Sequence, residues 1–146
     1  MKILCDQDVP EPVVEPLRHL LLRGHHKVDH VNEIRWKGKK DRLLLPDAKK
    51  RKYHAFLTND SNQLEDADET KAIKRSGLHH IRYTHRQQGV IGLGLAMGAI
   101  LAAMPAVMLE LEAADGQRLV RITGLSPHSR FEVIDPRHRP PPYWPR

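Results

Sequence analysis

Short apolar runs alternate with segments of helical period along most of the chain, the pattern of βαβ units that build a parallel sheet. Ile3 to Cys5 reads as the first strand. Pro10 and Pro12 introduce a helix in which Val13, Val14, Leu17, Leu20 and Leu21 recur at helical spacing, ending at Gly24. Pro16 fits that helix only within its first turn, because a later proline would remove a ladder hydrogen bond. Lys27 to Val31 predicts a second strand, and Glu33 to Lys40 a polar, basic loop. A second helix opens at Asp41 and carries Leu43, Leu44, Leu45 and Ala48, with Pro46 either kinking it or delaying its start. Tyr53 to Thr58 predicts a third strand, Asn59 to Asp68 an acidic turn into a helix that stops near Gly77, and Leu78 to Thr84 a fourth strand. Gln88 to Met104 then predicts a helix of small residues.

The final third has a different texture. Ala106–Glu112 and Leu119–Thr123 flank Asp115-Gly116, a hairpin turn signal, so two antiparallel strands are expected there, with Phe131–Ile134 adding another. From Pro136 onward the chain holds five of its eleven prolines and predicts an extended tail suited to docking. The organisation expected is a core domain over 1–105, a hairpin over 106–135 packed on or extending that same domain, and a proline-rich tail over 136–146. Val90–Leu109 is apolar enough to raise the question of a membrane span. Its small residues and Pro105 favour a helix followed by a strand instead.

Composition narrows the class without naming it. The chain has 146 residues, 40% of them hydrophobic and 29% charged, enough for one folded core and too apolar for a disordered chain. Its 24 Lys and Arg against 18 Asp and Glu leave a formal charge of +6, which suits an acidic partner such as nucleic acid. The single cysteine excludes an intrachain disulfide, and no cationic leader precedes the first strand; a reducing, cytoplasmic setting is expected. Cys5, inside an apolar run, reads as buried filler.

The chemistry is concentrated in acids that follow strands. In a parallel sheet the C-terminal ends of all strands lie along one edge, and ligands bind in the crevice there. Asp6 directly follows the first strand and Asp60 follows the third by two residues, so the topology brings them to the same edge. Asp8 and Asn62 each lie two residues further on, and Asp41 opens the second helix, where it either caps that helix or faces the crevice. Crowded carboxylates repel one another unless a cation neutralises them. Oxygen ligands with no thiolate suit Mg²⁺ or Mn²⁺. Such an ion can activate water and stabilise charge on a phosphodiester. Glu65, Asp66, Asp68 and Glu69 read instead as a solvated first helical turn that complements the dipole.

Three segments also resemble a known family. The opening Met1-Lys2-Ile3-Leu4-Cys5-Asp6-Gln7-Asp8-Val9-Pro10 resembles that of small PIN-like proteins, in which a strand ends in an acid, a polar residue and a proline. Lys40-Asp41-Arg42-Leu43-Leu44-Leu45 resembles their second motif, and Phe56-Leu57-Thr58-Asn59-Asp60-Ser61-Asn62 their third. The ordered set covers roughly residues 1–85. The resemblance implies a three-layer α/β/α sandwich around a mostly parallel sheet, metal-dependent ribonuclease chemistry, and in many relatives a role as the toxin of a toxin–antitoxin pair. By that match Asp6, Asp41 and Asp60 would be catalytic and would hold Mg²⁺ or Mn²⁺ together with Asp8, and Asn62 stands where a fourth acid is usual. The neutral Asn62 and Gln7 depart from the pattern and imply either a weakened site or a catalytically silent module that binds RNA or protein.

Other features add binding groups. Lys37, Lys39 and Lys40 adjoin Asp41 and could hold phosphates, and His85 and Arg86 follow the fourth strand at the same edge. Trp36 reads as a loop anchor or, alternatively, a base-stacking platform. Lys49 to Lys52 complement the dipole at the end of the second helix. The ten histidines show no zinc spacing, and Gly89, Gly92, Gly94 and Gly98 lack the P-loop lysine, so close helix packing accounts for them better. Paired acids after a first strand also occur in receiver-like domains, but no lysine after a late strand completes that pattern. Expected partners are an RNA substrate, an antitoxin protein and a second copy joined through Val90–Met104, with no membrane.

Overall fold

The computed structural model describes residues 1–59, 62–84, 88–125, 138 and 142, and shows a sheet of five parallel strands covered on both faces by helices. In chain order the elements are β1 (Lys2–Cys5), α1 (Val14–Leu22), β2 (Lys27–His30), α2 (Asp41–Lys50), β3 (Ala55–Thr58), α3 (Ala67–Ser76), β4 (His79–Tyr83), α4 (Gly89–Glu112) and β5 (Leu119–Ile122). Short 3₁₀ turns precede α1 (Glu11–Val13) and α3 (Asn62–Leu64). The strand order is β2-β1-β3-β4-β5, which puts the topological switch point between β1 and β3. The three-layer α/β/α sandwich expected from the sequence is therefore present.

Side chains alternate across each strand, so each face has its own core. Ile3, Cys5, Ala55, Leu57, Ile81 and Tyr83 meet α1 and α4 through Val14, Leu17, Leu21, Ile100, Met104 and Met108. Leu4 and Phe56 turn the other way and meet Leu44, Leu45 and Ala48 of α2 and Ile73 of α3. Cys5 is fully buried, and burial pushes its thiol up to about 12, which makes it inert as a nucleophile.

The helix boundaries follow local chemistry. Pro16 is the third residue of α1, where it lies within the first turn. Pro46 lies inside α2, which opens at Asp41 without interruption, its prolyl ring on the exposed side. Asp66 caps α3 by accepting from the backbone N–H groups of Asp68 and Glu69, and Gly77 ends it in the left-handed conformation at φ 66°. Beyond α1, by contrast, the left-handed residue is His25, while Gly24 is needed for space: a Cβ there would stand 2.7 Å from the His26 ring.

The hairpin expected after residue 105 is not formed. α4 continues through Pro105 to Glu112, and β5 pairs parallel with β4, Ile81 opposite Val120. Ala106–Glu112 is helix because Met104, Met108 and Leu111 recur at helical spacing and all point into the core. Asp115-Gly116 does turn the chain, but from a helix into a parallel strand. A domain boundary at 105 would fall in mid-helix, and α4 and β5 belong to the same layers as the rest. The strand expected at Phe131–Ile134 lies outside the described residues, as does the tail save His138 and Pro142.

α4 is by length and composition apolar enough to cross a membrane. In the fold it covers the sheet with Ala96, Ala99, Ile100, Met104, Met108 and Leu111, and leaves Val90, Ile91 and Leu109 exposed. Close packing explains Gly98, where a Cβ would come 2.9 Å from Leu125, but not Gly94, which has open space beside it.

Candidate metal-binding edge

The crevice forms where β1 and β3 end side by side. Their ladder pairs Cys5 with Leu57 and is extended by the Asp6 N–H, which donates to the Leu57 carbonyl at 2.8 Å. Asp6 is thereby held opposite Thr58. The Thr58 hydroxyl, itself buried, donates to Asp6 Oδ2 at 2.9 Å, and the Gln7 N–H donates to Oδ1 at 2.7 Å. Asp8 Oδ1 accepts from the Asn59 N–H at 3.1 Å, linking the two strand exits again. The Tyr83 hydroxyl reaches the Asp8 carbonyl at 3.3 Å and anchors the loop to β4. Burial raises the Tyr83 phenol well above its usual range, with Asp8 adding to the effect, so it stays protonated and donating.

By strand alternation Asp6, Thr58 and His80 lie on the sheet face covered by α2 and α3, the face from which Asp41 also comes. The cap of α2 is Lys40, with extended backbone, and Asp41 is the first helical residue. Its carboxylate therefore does not act as the cap; Oδ2 accepts from the Gln63 amide at 2.6 Å. Gln63, buried in the 3₁₀ turn, has its other amide atom 2.9 Å from His80 Nε2. Because the Gln63 NH₂ donates to Asp41, the Gln63 oxygen faces His80 and accepts from its Nε2–H. This chain Asp41–Gln63–His80 was not legible in the sequence. A glutamine in an acidic turn reads as surface, and the only signal was that His80 falls on the inward parity of β4.

The basic loop folds over the same edge. Gln7 Oε1 accepts from the Gly38 N–H at 2.8 Å, and Gly38 has φ +75°, a conformation that favours glycine. Gln7 thus has a structural task in place of a ligand's. Trp36 is partly buried against the α2 core, with Lys39 Nζ 4.5 Å and Arg51 Cζ 4.6 Å from its ring centroid. The ring is an anchor flanked by cations and not a free stacking platform. Lys39 is drawn into an ion pair with Asp47, whose carboxyl is held below the usual carboxylate range by the Lys39 hydrogen bond. Lys37 and Lys40 are exposed. Lys40 and Asp41 line a cleft of about 410 Å³ with Arg42, Asp66, Asp68 and Glu69.

Of the acids named from the sequence, Asp6 and Asp8 are brought to the switch point and Asp41 to the adjoining face. Asp60, His85 and Arg86 lie outside the described residues, while Asn62, exposed, opens the 3₁₀ turn. Among the described residues no three His, Cys, Asp or Glu groups are close enough to hold a metal on their own. Asp6, Asp8 and Asp41 each offer carboxylate oxygens, the donor type that suits Mg²⁺ or Mn²⁺. Two buried histidines are committed elsewhere: His30 Nε2 lies 2.9 Å from the Val9 carbonyl, and His26 Nδ1 lies 3.0 Å from the N-terminal amine.

Comparison with known proteins agrees with this architecture. The model of a family described as PIN like domain matches residues 1–84, which include β1 to β4 and every described acid at the edge. No curated protein and no solved structure matched the chain.

Proposed function

We propose, from the premise that this chain belongs to the PIN-like domain family, that it is an endoribonuclease dependent on Mg²⁺ or Mn²⁺ and the toxin of a type II toxin–antitoxin pair. The nuclease-type fold is the family's. The observation that carries the finer reading is the junction at the switch point, where the ends of β1 and β3 hold Asp6 between a buried hydroxyl and a backbone N–H.

In this reading Asp6, Asp41 and Asp60 hold the cation, with Asp8 and Asn62 beside them. When bound, the cation supplies charge stabilisation at the phosphodiester and lowers the pKa of water. The chain's own residues prepare the site. Thr58 and the Gln7 N–H fix the rotamer of Asp6, and Gln63 fixes that of Asp41. Lys37 and Lys40 hold the RNA backbone, and the contacts expected of His85 and Arg86 belong to the same reading. Lys39 contributes less, because Asp47 already takes up its charge. The antitoxin, a homodimer through Val90–Met104 and a cytoplasmic setting belong to the same proposal.

A second reading is favoured by one feature. Asn62 is neutral where the family resemblance implies an acid, so the chain would be a silent module that binds RNA or protein. Incubating a mixed structured-RNA pool with Mg²⁺ or Mn²⁺ separates the two. The nuclease reading expects cleavage by the wild type that falls to the EDTA level in Asp6→Asn and Asp60→Ala. RNA binding without cleavage by any of the three proteins would transfer the proposal to the silent module.

A further inference from the structure

α2 and α3 each follow the C-terminal edge of the sheet and run back beneath it, side by side. The groove between them has a volume of about 490 Å³. On α2 it is lined by residues 42, 46, 49 and 50, and on α3 by 68, 71, 72, 75 and 76, each set a stripe of helical spacing. Exposed helix faces of this kind ordinarily mix charges of both signs. Here Pro46 and Ala72 are the only apolar members, while Arg42, Lys49, Lys50, Lys71 and Arg75 set five cations against the single acid Asp68.

Local pairing does not absorb this charge. Lys71 lies 3.8 Å from Asp68 and Lys50 3.7 Å from Asp47, both exposed i,i+3 pairs of the weakest kind. Arg42, Lys49 and Arg75 form no ion pair among the described residues. Complementing the helix dipole accounts for cations at the last turns, but not for Arg42 in the first turn of α2 or Lys71 in the middle of α3. The groove is also continuous with the acidic cleft at the edge: Arg42 and Asp68 line both. A ten-residue helix is about 15 Å long, so the cations extend over several nucleotides' worth of backbone.

We propose that the α2–α3 groove is a binding track for the phosphate backbone of single-stranded RNA leading to the carboxylate edge. The ligand is taken from the nuclease reading above, but binding along the track needs neither metal nor cleavage. The cations contact phosphate and not bases, so the track positions RNA without reading its sequence. An acidic protein segment is the competing occupant.

The test is binding of a fluorescein-labelled unstructured RNA 12-mer in EDTA, followed by anisotropy across a salt series. Lys49→Gln/Lys71→Gln/Arg75→Gln is compared with a control of equal charge loss outside the groove, Arg23→Gln/Lys27→Gln/Arg121→Gln, both checked for folding by thermal melting. Each phosphate contact on a single strand contributes about 0.7 to the slope of log K against log salt. The groove variant is expected to bind at least about 10-fold more weakly and to lose about 2 from that slope, with the control near wild type. Equal weakening in both variants would overturn the track, since net charge alone would then explain binding. A groove that takes a glutamate-rich 12-mer and ignores RNA would overturn it in favour of a protein partner. Cleavage is scored separately with Asp6→Asn: a wild type that binds through the groove but never cuts removes the nuclease and keeps the track.

Discussion

The two faces of the sheet are built on different principles. Against α1 and α4 the contact is mainly aliphatic, with Ile100 and Met104 fully buried among Ile3, Leu57 and Ile81. The buried His30 and Tyr83 of that face bond to backbone groups, among them the carbonyls of Val9 and Asp8. Against α2 and α3 the apolar cluster is smaller, and next to Leu4 and Phe56 stand the buried Thr58, Gln63 and His80, each hydrogen-bonded towards an acid at the edge. A buried polar group that is partnered costs little, and one stripped of its partner costs about 1–3 kcal/mol. The second face therefore gives up some apolar contact to aim Asp6 and Asp41. One face seats the sheet against a long helix, and the other carries the side-chain partners of Asp6 and Asp41.

The comparison is broken most directly at its apolar side. Ile100→Ala should cost about 2–5 kcal/mol in urea unfolding, the usual price of an emptied aliphatic site, while RNA binding by the molecules that remain folded should be unchanged. Loss of binding in the folded fraction would mean that the α4 face also shapes the site. Gln63→Leu should cost about 1–3 kcal/mol by removing a buried hydrogen-bond partner of both Asp41 and His80. With Asp41 holding the cation as proposed, the same change should reduce metal-dependent cleavage about 10- to 100-fold, as loss of outer partners of ligands commonly does. A variant with reduced stability but unaltered cleavage would make Gln63 mere core.

Smaller effects sharpen the contrast. Asp66→Ala removes the cap of α3 and should lower stability by about 1 kcal/mol, seen as a shifted urea midpoint with an unchanged slope. A pH effect should come from histidines outside the site. Burial chiefly, with the N-terminal amine against His26 and His54 and with Arg118 against His79, lowers these three imidazoles below their usual value. Above about pH 6.5 neither folded nor unfolded chain protonates them and nothing is lost. As pH falls through that value the unfolded chain takes up protons that the folded one refuses, so stability declines, and the decline levels off below the folded-state pKa values. Melting temperature should be lower at pH 5.5 than at pH 7.5, and the drop smaller in His26→Gln. A melting temperature that rose on acidification would reverse the assignment.

How far the sequence could be read is seen at single residues. Asp6, Asp8 and Asp41 were legible as site candidates because strand ends and helix starts are marked locally, by apolar runs, prolines and basic loops. Gly77 was legible as a helix stop for the same reason, whereas Asp66, read as part of a solvated first turn, is the cap of α3. Ala106–Glu112 was misread because Pro105 looked like a terminator, yet a proline whose ring faces solvent can be carried by a helix whose core stripe continues through Met108 and Leu111. Thr58 and Gln63 were silent, since the value of a hydroxyl or an amide depends on what is buried against it.

The sequence by itself determined the class of fold, α/β with acids placed after its strands. Periodicity and strand-end acids are local properties, written in stretches of a few residues, and they require a parallel sheet with acids at one edge. Tertiary structure alone decided that β5 runs parallel beside β4, that Gln63 and His80 stand behind Asp41, and that cations from α2 and α3 face one another across a groove. Each of these joins residues distant in the chain. Their energies come from burial and alignment that exist only once the layers have packed.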